Sequence, residues 1–217
     1  MKRVITVKGK GKVSAPPDWI KIMMTLKASD MDYDKTMDIA ANQLKELRNC
    51  LGKLGFKKED IKTTSFHIDT SYERVKDYHG NYKSVFKGYR CSNELYIGFE
   101  TDSKKLGEIL SALSNCKAKP EFSIKYQIRD QKSLKEEMLK KAILDAKEKA
   151  KVIAEAAGVE IGNILRIDYD WSEIRFQREE SYYLSEASYQ PSIASIDIEP
   201  DDIKISDTVT VVWEIKG

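Results

Sequence analysis

The chain has 217 residues, enough for one large domain or two small intertwined ones with a buried core, and its 37 Lys and Arg against 35 Asp and Glu leave a formal net charge of +2. That near balance excludes a global electrostatic pull toward nucleic acid or an anionic membrane, and no window approaches the run of about 18 apolar residues that a membrane span needs. The cysteines, Cys50, Cys91 and Cys116, are odd in number and lack a C-x-x-C pair, which fits a reducing compartment and speaks against a structural zinc site.

The start, MKRVITVKGKGKV, carries charge without the apolar core of a secretory leader, so the sequence as it stands reads as cytoplasmic. A leader removed from its front would instead make the protein exported. The first strand alternates Ile5, Val7, Gly9, Gly11 and Val13 on one face against Lys8, Lys10 and Lys12 on the other. It lacks the G-K-[ST] ending and helix of a phosphate loop, and glycine inside a strand marks close approach by a backbone or ring; an anion-binding lysine patch is the alternative. A second strand buries Ile20, Ile22, Met24, Leu26 and Ala28. Helical spacing follows over 31–54, with Met37, Ala40, Leu44, Leu47, Leu51 and Leu54 inward and Gly55 as the stop.

Phe66, Ile68 and Tyr72 then share one face of a strand, and Tyr89, Cys91, Leu95, Ile97 and Phe99 one face of the next. Between them Gly80-Asn81 has the chemistry of a two-residue hairpin turn, which sets Phe66 opposite Leu95, Thr70 opposite Cys91 and Tyr72 opposite Tyr89. The same register puts His67 opposite Glu94. The stretch KGYRCSNELYIGF, 87–99, resembles the opening of an RNA-reading strand, in which aromatics at the third and fifth positions stack on bases. Here those positions are Tyr89 and Cys91, of core parity, while the outward face carries Glu94 and Glu100; parity and charge both reject nucleic acid.

A short helix over 103–115 has Asp102 as its cap and Leu106, Ile109, Leu110 and Leu113 inward. Phe122, Ile124, Tyr126 and Ile128 mark a fifth strand. A long helix over 133–157 reads as opened by a Ser133–Glu136 capping box, lined by Leu139, Ile143, Ala146, Ala150, Ile153 and Ala157, and ended by Gly158. Its many alanines allow close approach to a sheet. Two more strands carry Ile161, Leu165, Ile167, Tyr169 and Trp171, then Ile203, Ile205, Val209, Val211, Trp213 and Ile215. Between them, 173–202 holds neither period and is tyrosine-rich, the kind of long connection that carries function or is disordered.

The order strand, helix, strand, strand, helix, strand over 15–130 is the split βαβ pattern of a ferredoxin-like plait. Residues 1–14 and 131–217, with the long helix, form a second small lobe, giving an α+β fold overall. No catalytic, cofactor or metal motif stands out: H-E-x-x-H, G-x-S-x-G and the calcium-loop pattern are absent, and DIEPDD, 197–202, reads as a turn. The three cysteines read as packing residues. Trp19, Met23 and Tyr96 fall on the plait face away from the helices, where bulky side chains need a cover. The second lobe could supply it within the chain, or the tyrosine-rich segment, with Tyr182, Tyr183 and Tyr189, from a neighbouring copy, and a homo-oligomer is expected.

Four stretches in order, VITVKGKGKVSAPPDW, GYRCSNELYI, KAILDAKEKAKVIAEAAGVEIGNILRI and VTVVWEI, together resemble the SIMPL-domain family. That family includes bacterial periplasmic immunogenic and oxidative-stress-related proteins and a mammalian kinase-associated adaptor. The resemblance spans nearly the whole chain and implies an α+β fold with a plait-like part, ring-like oligomers in some bacterial members, and no catalytic residue. The sequence departs from many bacterial members at its start, which shows no leader, and in the tyrosine-rich 173–200. Two functions follow as expectations: a non-enzymatic oligomeric scaffold or binding protein with a stress-related role, or an enzyme or small-ligand protein with a pocket between the lobes.

Overall fold

A computed structural model describes residues 3–76, 78, 80–169, 175–176 and 200–216. They form an α+β protein with two antiparallel sheets and three α-helices, in two compact units.

The unit that joins both ends of the sequence contains β1 (Val4–Ala15), α3 (Gln131–Ala157), β6 (Glu160–Asp168), the short β7 (Arg175–Phe176) and β8 (Ile203–Lys216). Its sheet runs β1-β8-β6, with β7 also paired to β8. The alternation of β1 and β8 sets Val7, Gly9, Gly11 and Val13 beside Val209, Val211 and Trp213 on one buried face, and α3 lies on that face. Gly9 and Gly11 make this possible. A Cβ on Gly9 would strike the Ala142 carbonyl oxygen, and one on Gly11 the Met138 carbonyl oxygen.

That closeness corrects the expected helix stripe. The buried residues of α3 are Met138, Ala142, Ala146, Ala150 and Ala154 at steps of four, while Leu139 and Ile143 flank the contact and Ile153 is exposed. Opposite Gly9 the row is alanine, which suits so close an approach, while Met138 opposite Gly11 packs its longer side chain with Val13 and Ile205. The cap differs too: Asp130, rather than Ser133, accepts the Lys132 and Ser133 amides. Gly158 ends the helix in the left-handed conformation at φ 67°.

β6 is the second correction. Leu165 and Ile167, expected inside, are exposed, as is Ile164 on the other parity. Register shifts between Ile161, Ile164 and Arg166 break the alternation, and α3 packs chiefly on β1 and β8. Trp171 lies outside the described residues.

The other unit, Trp19–Gln127, contains β2 (Trp19–Asp30), α1 (Tyr33–Gly52), a 3₁₀ turn (Lys58–Asp60), β3 (Lys62–Lys76), β4 (Tyr82–Glu100), α2 (Ser103–Ser114) and β5 (Glu121–Gln127). Strand order is β3-β4-β2-β5 with every neighbouring pair antiparallel. Both helices cover one face, and the core joins Ile20, Ile22, Met24 and Leu26 to Leu95, Ile97 and Phe99 under Leu47, Leu51, Ile109, Leu110 and Leu113. Each such side chain stabilises the fold by roughly 1.5–3 kcal/mol on burial. Asp32 and Asp102 cap α1 and α2 by accepting first-turn amides.

The β3–β4 register differs from that expected of a two-residue turn. Lys76 pairs with Tyr82, leaving a five-position connection, 77–81, and Gly88, at φ 107°, makes a bulge that shifts the ladder between Ser71 and Tyr72. Phe66 therefore faces Asn93, His67 faces Ser92, Thr70 faces Tyr89 and Tyr72 faces Phe86. Phe66 and Tyr72 are 50% and 61% exposed, because α1 packs on β2 and β4 and the edge strand β3 lies beyond it.

Candidate functional site

Two surfaces of the Trp19–Gln127 unit carry uncovered or half-covered aromatic side chains, and neither follows from composition alone. The first is the sheet face away from the helices. Trp19 and Met23 stand on β2 at the same parity, and Tyr96 is the direct cross-strand partner of Met23 on β4. All three are half-buried. The Lys21 ammonium sits 3.7 Å above the Tyr96 ring, and the Trp19 indole lies over Gly98, where a Cβ would come within 2.6 Å of Nε1. The structure thus brings the three together on one face; Tyr182, Tyr183 and Tyr189 lie outside the described residues.

The second surface was not foreseen. The Gly88 bulge places Phe86 opposite Tyr72, and the rings run on edge to face: Tyr72 to Phe86 at 5.7 Å, Phe86 to Tyr89 at 5.5 Å, and Tyr89 to Tyr33 of the first α1 turn at 5.4 Å. Tyr72 and Tyr33 are 61% and 45% exposed. The signal was in the sequence as four aromatics, but their alignment needs a bulge that alternation cannot reveal. A Cβ on Gly88 would strike the Asp30 carbonyl oxygen, so the bulge is specified by glycine itself.

Other candidates resolve into structure. Cys91 is buried on the helix side of β4, as its parity requires, and burial pushes its thiol up. Tyr89 packs against Tyr33 on that same side, so the two positions that would read RNA do not share an open sheet face. His67 turns to Asp69, 3.6 Å away, which also meets Arg90 at 3.4 Å. In the KGKGK strand the lysines are exposed and the glycines meet α3; the Lys10 amide donates to Asp145 Oδ2 at 2.7 Å. Asp145 also takes the Lys149 ammonium at 2.7 Å, and that bond, with the Lys10 amide, holds its carboxyl below the usual range. Asp201 and Asp202 are exposed just before β8, and no group of three or more His, Cys, Asp or Glu poised for a metal occurs among the described residues.

Two groupings were missed by reading along the chain. On β8, the buried Asp207 faces Tyr169; burial first and the carboxylate second push the tyrosine up to about 12. On α1 and just past α2, Cys50 and Cys116 bring their sulfurs to 2.7 Å. Each cysteine lies three residues beyond a core leucine, Leu47 or Leu113, so the packing of the two helix ends joins them.

Among the described residues no helix is long and apolar enough to cross a membrane. Comparison with known proteins gives relatives over three quarters of the chain or more. An uncharacterized protein YggE of Edwardsiella ictaluri is 22% identical over 97% of this chain and 86% of its own. The 26 kDa periplasmic immunogenic proteins of Brucella melitensis and Brucella abortus are each 22% identical over 75% of this chain and 65% of theirs. The pattern of the family described as SIMPL, protein of unknown function (DUF541), matches residues 5–213, and the chain belongs to that family.

Proposed function

We propose that the protein is a non-enzymatic oligomeric binding protein whose Trp19–Gln127 unit is a ferredoxin-like plait presenting the assembly surfaces. The strand order β3-β4-β2-β5, with a helix between β2 and β3 and another between β4 and β5, supports the plait. The observation that carries assembly is the ring row Tyr72–Phe86–Tyr89–Tyr33, with Tyr72 and Tyr33 exposed and Phe86 and Tyr89 half-buried, since clustered aromatics that reach the surface are the composition of an interface core. The occupant is a second copy of the chain. A second reading, favoured by the Met23–Tyr96 pair, places the interface on the open sheet face instead. The buried, protonated Cys91 is a poor nucleophile, which supports the non-enzymatic reading. The periplasmic relatives support an exported setting over a cytoplasmic one, and a stress-related role rests on the family resemblance.

Light scattering at micromolar concentration tests assembly. The wild type is expected to show a multiple of the monomer mass, and Tyr33→Lys with Tyr72→Lys to reduce it to the monomer while the fold persists. Loss of assembly in Trp19→Lys with Met23→Lys instead moves the interface to the open face. A monomeric wild type ends the proposal.

A further inference from the structure

We propose that Cys50 and Cys116 form a reversible disulfide, with Cys50 as the entry thiol for an anionic low-molecular-weight disulfide and Cys116 as the resolving thiol. The two sulfurs stand 2.7 Å apart, closer than the roughly 3.5–4.0 Å at which non-bonded carbon atoms rest. A disulfide bond, at about 2.05 Å, needs less than an ångström of further closure. The third cysteine cannot compete: Cys91 packs in a separate buried cluster with Ala28 and Ala40.

The pair is asymmetric in the way a two-step exchange requires. Cys50 is half-buried at the last turn of α1 and lines an open depression with Glu46, Arg48, Asn49, Lys53 and Lys117. Three cations against one carboxylate favour an anionic reagent at that rim. Cys116 is 3% exposed, and burial, with the hydrogen bond to Cys50 adding to it, pushes its thiol up to about 11. It meets no reagent directly and waits behind Cys50.

Exchange then runs in two displacements. The Cys50 sulfur, its proton lost to water, attacks one sulfur of the reagent; the reagent's S–S bond breaks, a mixed disulfide forms, and the first small thiolate leaves and takes up a proton. Cys116 gives up its proton and attacks the Cys50 sulfur, so that the Cys50–Cys116 bond forms and the second small thiolate leaves and is protonated. Two electrons pass from the protein thiols to the reagent, and two small thiols are produced. The reverse reaction, with a small dithiol as reductant, restores the pair.

The native full chain is incubated with oxidised glutathione at neutral pH, and free thiols, intact mass and linked peptides are measured. The expected result is loss of two of the three thiols together, loss of the mass of two hydrogen atoms, a peptide linking Cys50 to Cys116, and full recovery with dithiothreitol. Cys116→Ser should stop at a stable glutathione adduct on Cys50, and Cys91→Ser should leave the linkage intact. Three thiols remaining free in the wild type, or a persistent Cys50 adduct with Cys116 unlinked, would overturn the proposal.

Discussion

Gly9 of β1 lies against the α3 main chain so closely that a Cβ would strike the Ala142 carbonyl oxygen and come within 2.6 Å of the Ala146 Cβ. Gly11 stands in the same relation to Met138. Ordinarily Gly→Ala in a strand stabilises, by reducing the freedom of the unfolded chain. Here the obstacle is backbone, so relief requires moving the helix. Gly9→Ala and Gly11→Ala should each destabilise by about 1–3 kcal/mol, read as a lower urea midpoint at unchanged slope. A rise in the midpoint would show that α3 is not seated on these glycines.

Asp145 gives an acid-side prediction. Its carboxyl is held down first by Lys149 and then by the Lys10 amide. A depressed folded pKa contributes stability that is complete above the unfolded value, about 3.9, and fades as pH falls through the folded one. Asp145→Asn should therefore be less stable than the wild type at neutral pH, with the difference shrinking on acidification below pH ~4. A difference independent of pH would mean that the carboxylate charge contributes nothing.

Tyr169 makes the alkaline counterpart. Its pKa is pushed up to about 12, above the ordinary tyrosine value near 10, by burial and then by the Asp207 carboxylate. The neutral phenol is favoured in the fold, so its contribution is complete below pH ~10 and is lost as pH rises toward the folded value. In an NMR titration of ring signals Tyr169 should ionise late. Asp207→Asn should bring its pKa only part of the way down, because burial, the larger cause, remains; a full return to the ordinary value would reverse that ranking.

Gly98 supports the Trp19 indole. A Cβ there would come within 2.6 Å of Trp19 Nε1, the far end of a flexible side chain. Gly98→Ala should consequently shift tryptophan emission to the red as the ring moves off the sheet, with a change in urea midpoint much smaller than that of Gly9→Ala. An unchanged spectrum would place the indole elsewhere in solution.

Local patterns were legible where one contact decides an element. α2 was readable to within a residue, because Asp102 caps it and its four inward residues meet a single sheet face. The parity of β4 placed Cys91 inside for the same reason. Alternation says which residues share a face, but not whether anything covers it, so the exposure of Phe66, Tyr72, Leu165 and Ile167 on edge strands was invisible. The α3 stripe was legible in part: Ala146 and Ala150 are buried and Leu139 and Ile143 pack at the rim of the same cluster, but Ile153 is exposed and Met138, Ala142 and Ala154 were passed over, because the glycine-floored contact lies along a row of steps of four. The Cys50–Cys116 meeting joins positions 66 residues apart and depends on how α1 and α2 cross, which no spacing encodes. The aromatic row required the Gly88 bulge.

The carboxylate that Asp145 offers to the Lys10 amide gives the β1-β8-β6 sheet a direction. A strand arriving at the β1 edge would have to displace a charged acceptor already in place, whereas β6 at the far edge offers Ile164, Leu165 and Ile167 to solvent. A charged side chain already seated on an edge amide is one of the means by which a sheet discourages the addition of a further strand there, and in β1 a helix residue supplies it.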